Sequence, residues 1–377
     1  MSALARTLAV LLFAASAVVA AEVPATDGLQ IQSMSALAFG PDGVLLIGDG
    51  KAGAVVAVTL GEQSRAAGDG LQVTDLENRI AALLGNTADE IMIHDLAVSP
   101  VSHDVYLAVS RGRAGWSTRW LLPNDVADAT ILLAIDGKGE IREVPLDGLP
   151  HSRAELPNPV AADRTHRWKE GVSLRSDTIT DMAYADGTVY VAGLSNEEFA
   201  STMWKVAYPF GDSATATTLE IFHAAHGAFE THAPIRTFVP YELAGESHLL
   251  AAYLCTPFVS FPVAALEDGK HVKGRTLGEF GSGNYPLDMV AYRKGGKERL
   301  LIANSNLPLM IVDAAEIESF EGELLEEPET YLAGLRYEPR SGTGIQQLDR
   351  LGDDHFVALQ RLPGGTLDLV SLPVRRF

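Results

Sequence analysis

Three features of the chain predict an all-β fold, a six-bladed β-propeller of four-stranded blades. A polar residue leading into a short apolar run, a tight turn and a second apolar run recur near residues 35, 94, 180, 236, 287 and 346. Further runs rich in Val, Ile, Leu and Tyr follow most copies, as strands separated by turn residues do. Helical periodicity is scarce, with "DLENRIAALLG" at 75–85 the one short helix expected. Repeated four-stranded units of about 50–60 residues read as propeller blades.

The paired inner strands are "SALAFGPDGVLLIGDG", "HDLAVSPVSHDVYLAVSRG", "TDMAYADGTVYVAGLSNE", "RTFVPYELAGESHLLAAYLCT", "LDMVAYRKGGKERLLIANSN" and "QQLDRLGDDHFVALQR". Third strands follow as "AVVAVTL", "ATILLAI", "STMWKVAYP", "FVSFPVAAL", "LMIVDAA" and "TLDLVSLPV". Fourth strands are fainter: "LQVTDL", "IREVPLD", "TLEIFHA", "VKGRTLG" and "TYLAGLR". The last blade supplies three strands, and "GLQIQS" at 28–33 is expected to add its fourth, closing the ring from the N-terminal side. A seventh, degenerate blade would fit within "IREVPLDGLPHSRAELPNPV".

Residues 1–21 read as a signal peptide: Arg6 is basic, "TLAVLLFAASAVVA" is apolar and too short for a span, and small residues follow. Residues 22–377 are then one propeller domain, exported to the periplasm or beyond. No other stretch approaches the ~20 apolar residues of a membrane helix. The chain carries 29 basic and 49 acidic residues, a formal charge of −20, which disfavours nucleic acid and anionic lipid as partners. Its one cysteine, Cys255, excludes an intramolecular disulfide.

An acidic pattern recurs at the inner-strand entries. "IHDLAVSP", "ITDMAYADG" and "PLDMVAYRK" place Asp95, Asp181 and Asp288 at equivalent positions, which Ala36, Thr237 and Gln347 fill in the other blades. Two readings follow. Such Asp residues cap loop N–H groups, or they gather round the axis and hold a cation, because crowded carboxylates repel one another otherwise. On the second reading His94, Asp95, Asp181 and Asp288 are the metal residues, and oxygen ligands favour Ca²⁺ over Zn²⁺ or copper. Arg111, Asn196, His232, Arg236, Cys255 and Asn306 fall at the same end of the blades and are the expected ligand-binding residues. That end carries the long loops, where binding residues gather. Trp116, Trp120 and Trp168 lie in those loops and could stack on a ligand.

Histidine offers a different metal chemistry. His223, His226 and His232 lie in "FHAAHGAFETH", and Cys255 near His94 or His232 would make a softer site for zinc or copper.

The "PLDMV" and "TDMA" entries with "DG" turns resemble the exported propellers of the NHL and YVTN repeat type and, more distantly, the gluconolactonase-like six-bladed propellers. The resemblance implies the architecture and, through the latter group, a calcium-dependent hydrolase. Those hydrolases usually place a metal-binding Glu on the first blade strand, where this chain has Ser35 and Ala36. The expected function is therefore binding of a small molecule, a metal ion or a protein partner at the channel mouth. The alternatives are a lactonase-like hydrolase and a His/Cys metal-handling protein.

Overall fold

Runs such as Val44–Asp49, Ala54–Thr59 and Val105–Arg111 are apolar almost without alternation and are buried along most of their length. That is the pattern of strands covered on both faces. A computed structural model of the chain shows why: six sheets stand round one axis, and each packs its two faces on its neighbours. The structure describes residues 28–63, 65, 70–111, 130–166, 173–211, 214–281, 283–330 and 332–377. The expected signal peptide and the three loop tryptophans lie outside these.

The inner strands of blades 1 to 6, numbered in chain order, are Ala36–Phe39, Ile91–Val98, Asp181–Ala185, Thr237–Leu243, Pro286–Lys294 and Ile345–Leu351. Each pairs antiparallel with the strand that follows it, and that second strand pairs in turn with a third. The expected helix is present as Leu76–Leu84, ended by Gly85 in the left-handed conformation that glycine adopts readily.

The ring does not follow chain order. Inner strands touch in the sequence blade 1, 3, 4, 5, 6, 2 and back to 1. After its third strand, Ala54–Thr59, the chain leaves blade 1 and lays Gln72–Val73 on Leu369–Val370 of blade 6. It then forms the helix and blade 2 between blades 6 and 1, and returns to place His151–Glu155 on the outer edge of blade 1. The first two blades therefore run backwards round the axis relative to the rest.

This corrects two expectations. The strand that completes blade 6 is Gln72–Val73, not residues 28–33, which form no strand. The stretch with room for a seventh blade instead yields the fourth strand of blade 2, Ile141–Glu143, and the outer strand of blade 1. Asp75 donates its N–H to Asp368 at 2.9 Å, and Arg361 pairs with Glu77, so the closure is also tied by side chains. The helix residues Leu76 and Ile80 complete the apolar core between blades 6 and 2.

Blades 3 and 4 carry extra edge strands. Ala228–Glu230 folds back on the end of blade 3's fourth strand, Ala214–His223. Leu332–Gly334 extends blade 4, whereas blade 5 takes Glu338–Arg340 as its fourth strand.

Candidate functional site

Three carboxylates serve six inner strands. Asp95 accepts the N–H of Leu96, its own neighbour, at 2.8 Å and that of Leu37 in blade 1 at 2.6 Å. Asp181 accepts from Met182 at 2.7 Å and from Phe238 in blade 4 at 2.8 Å. Asp288 accepts from Met289 at 2.7 Å and from Leu348 in blade 6 at 2.6 Å. Round the ring the equivalent position reads Asp95, Ala36, Asp181, Thr237, Asp288, Gln347. Every second blade supplies an Asp, and its two oxygens satisfy the following N–H of its own strand and of the next. A carboxylate accepts on both oxygens, so three are enough for six blades.

A fourth carboxylate repeats the device two residues further along. Asp349 accepts from Arg350 at 2.6 Å and from Val98 in blade 2 at 2.7 Å. Gln347, at the equivalent position itself, reaches across the same seam to the carbonyl of His94 at 2.8 Å. The bulge before Gln347 matches those before Asp95 and Asp288, so Gln347 holds the repeat position and Asp349 lies outside it.

All four carboxylates line one axial cavity of about 500 Å³. Each is half-buried, and its remaining exposure is to the channel. Burial pushes Asp95 up to about 8, and the charges of Asp181 and Asp349 add to it. Burial likewise raises Asp181 to about 7, Asp349 to about 6, and Asp288 well above the usual carboxylate range. Beyond the belt the wall includes Ser99, Pro100, His103, Gly352 and Asp353, from turns between first and second strands. The cavity thus extends toward the short turns, away from the long-loop end where the sequence places the mouth.

The remaining expected residues do not line this cavity. His94 is exposed, and its Nε2 sits 2.7 Å from Ser110 Oγ. Arg111 ends the second strand of blade 2, opposite Ile91. Asn196 is exposed near Arg164, and His232 is exposed beside Thr231, its Nδ1 2.9 Å from the hydroxyl. Arg236 is exposed, and its N–H binds the Ala252 carbonyl at 2.9 Å. Asn306 is exposed and donates to the Gly283 carbonyl at 2.9 Å. Cys255 groups with His223 and His226 rather than with His94 or His232.

Asp49, fully buried, accepts the N–H groups of Gln32, Ser33 and Ala52 and so anchors the N-terminal segment to blade 1.

No family model and no curated protein matches the sequence. Among solved structures the chain is similar to extracellular domains 1–2 of Drosophila Semaphorin 1b at 11% identity and TM-score 0.35, covering 92% of this chain and 88% of that one. It is also similar to the PQQ-bound aldose sugar dehydrogenase of Streptomyces coelicolor at 12% identity and TM-score 0.36, covering 92% and 95%. A putative oxidoreductase (glucose dehydrogenase) of Thermus thermophilus follows at 15% identity and TM-score 0.28, covering 92% and 98%. Likenesses this distant carry no argument about function, and the propeller fold rests on the sheet topology itself. Among the described residues, no helix is long and apolar enough to cross a membrane.

Proposed function

We propose that the chain is a binding propeller that takes a small cationic ligand in its axial channel. One observation carries this reading: the wall of the cavity includes five Asp side chains, at 95, 181, 288, 349 and 353, against one Arg, Arg350, and one His, His103. Its volume of about 500 Å³ suits a small molecule. The belt carboxylates are already raised by burial, to which the charges of Asp181 and Asp349 add at Asp95 and those of Asp95 and Asp181 add at Asp288. A cation among them relieves that repulsion and favours their ionised forms. An organic amine and a hard divalent ion such as Ca²⁺ share this chemistry. The chain would do this work outside the cytoplasm if residues 1–21 are removed on export, which N-terminal sequencing of the mature protein checks.

Calorimetry at pH 6, 7 and 8 against a diamine, Ca²⁺, a neutral sugar and a dicarboxylate tests the reading. The amine or Ca²⁺ binds more tightly as the pH rises, with protons released to buffer, and the sugar and dicarboxylate do not bind. Preference for the sugar or the dicarboxylate, or cation binding that ignores pH, overturns it.

A further inference from the structure

A second polar cluster lies away from the channel, where the end of blade 3's outer strand meets blade 4. The strand Ala214–His223 ends in a single 3-10 turn, Ala224–His226, and Gly227 reverses the chain at φ +57°. The returning strand pairs Glu230 with Ile221 and Ala228 with His223. The turn lays the His226 ring on that of His223, with centroids 3.7 Å apart. The hairpin brings one carboxylate to both rings: Glu230 Oε2 lies 3.0 Å from His223 Nδ1, and Oε1 lies 2.6 Å from His226 Nδ1. Burial works against the Glu230 charge, but the two imidazoles hold it below the usual carboxylate range.

Cys255 comes from the other side of the seam. It and Thr256 have consecutive left-handed backbones, at φ +63° and +66°, a conformation that non-glycine residues rarely adopt. Thr256 locks this turn: its hydroxyl donates to the Gly281 carbonyl at 3.0 Å, and its N–H donates to the Tyr253 carbonyl at 2.9 Å. The result is that a ring nitrogen of His223, one of His226 and the Cys255 sulfur lie within 4.8 Å of one another. A metal with bonds of about 2.0–2.3 Å holds tetrahedral ligands roughly 3.3–3.8 Å apart, so small side-chain movements close the set.

Two buried groups here have no internal explanation. His223 is 2% exposed, and its Nε2 has no hydrogen-bond partner among the described residues. Its Nδ1 faces Glu230 within ion-pair distance but off hydrogen-bonding geometry. Glu279 is fully buried with Oε1 unpartnered, and its Oε2 takes only a long bond, 3.3 Å, from the Ala225 N–H. A native fold seldom leaves such groups unsatisfied, and a missing ion is one of the few reasons.

We propose that His223, His226 and Cys255 bind one transition-metal ion of the zinc and copper class, with Glu230 orienting both imidazoles and Glu279 as a buried countercharge. Glu230 at both Nδ1 atoms leaves both Nε2 atoms for the metal, the carboxylate–histidine arrangement that fixes ligand rings in metal sites. Two imidazoles with one thiolate suit Zn²⁺ or copper and do not suit Ca²⁺. Three protein ligands leave a fourth position open, and His226, about half exposed, gives access to it. None of the three lines the axial cavity, so this site stands independently of the channel ligand.

The test uses the full mature protein stripped with chelator, then titrated with Co²⁺, Zn²⁺ and Cu⁺. Co²⁺ gives a thiolate-to-metal charge-transfer band that saturates at one ion per chain, and Zn²⁺ or Cu⁺ abolishes it by displacement. Competition with a chromophoric chelator tells which of the two binds tighter. Cys255→Ser removes the band. His226→Gln, at a half-exposed position where folding is not at stake, weakens binding at least about tenfold, and Glu230→Gln weakens it ~10–100-fold. Circular dichroism confirms that each variant is folded. No charge-transfer band with the wild type, or a band that survives Cys255→Ser, overturns the proposal. So does metal affinity unchanged in both His226→Gln and Glu230→Gln.

Discussion

The carboxylate belt on the axis and the histidine cluster between blades 3 and 4 both place polar groups inside the protein, but they treat them in opposite ways. In the belt each Asp oxygen has a backbone N–H, and each N–H served in this way comes from an inner strand next to the channel. In the cluster a sealed imidazole nitrogen and a sealed carboxylate oxygen have none. Satisfied polar groups hold a fold together, and unsatisfied ones raise its energy unless something outside the chain completes them. The contrast assigns the belt to architecture, with its leftover charge available to a channel ligand, and the cluster to a bound ion.

The sharpest break of this contrast is Asp181→Ala. It strands the N–H groups of Met182 and Phe238 in the channel wall and separates blade 3 from blade 4. Each unpaired group costs about 1–3 kcal/mol, so denaturant melts should show a loss of roughly 2–4 kcal/mol. A loss below ~0.5 kcal/mol would mean that the clasp holds nothing.

The next effect is the pH dependence of stability. The belt carboxyls hold their protons more tightly folded than unfolded, so the folded state binds more protons between about pH 4 and 8. Stability then falls as pH rises through that window. Each tenfold of proton affinity is worth about 1.4 kcal/mol, and channel water screens part of it, which leaves roughly 1–3 kcal/mol lost from pH 5 to pH 8. Melts at four pH values check this, and a stability that climbs instead would contradict raised carboxyls.

Asp349→Ala should be milder, at about 1–2 kcal/mol, because Arg350 is exposed and water can replace one of the two bonds. If it matched Asp181→Ala, the seam between blades 6 and 2 would depend on it as heavily. Smallest of all is Cys255→Ser without metal, expected within about 0.5 kcal/mol of wild type in denaturant melts, since the thiol completes no internal network.

Much of the architecture is legible in the chain. Second and third strands are mostly apolar runs between turn residues, and burial on both faces makes them so, while the inner strands show through their repeated polar entry. Outside blades 3 and 4 the fourth strands are short and polar, and where they dock depends on contacts far away in sequence. Nothing in "LQVTDL" says that Gln72–Val73 belongs to blade 6, nor in "HSRAE" that it returns to blade 1. The equivalence of Asp95, Asp181 and Asp288 is visible as a repeat. Their alternation is not, because it appears only once blade 2 is known to sit before blade 1. Asp349 is missed because it stands two residues beyond the repeat position, which Gln347 fills. His223, His226 and Cys255 are conspicuous residue types, but their meeting requires the hairpin at Gly227 and the left-handed turn at Cys255. The available signal was the H-x-x-H spacing beside a strand end, with a Glu four residues beyond the second His.

One measurement puts the division between belt and cluster to the test: thermal melts of wild type, Asp181→Ala and Cys255→Ser, each in chelator and in excess Zn²⁺. Zn²⁺ should raise the wild-type melting temperature, because a ligand of the native state stabilises it by mass action. Asp181→Ala should melt lower in both conditions and keep the same rise. Cys255→Ser should match wild type in chelator and gain little from Zn²⁺. If Asp181→Ala instead abolishes the rise while Cys255→Ser retains it, the belt is the metal site and the assignment is reversed.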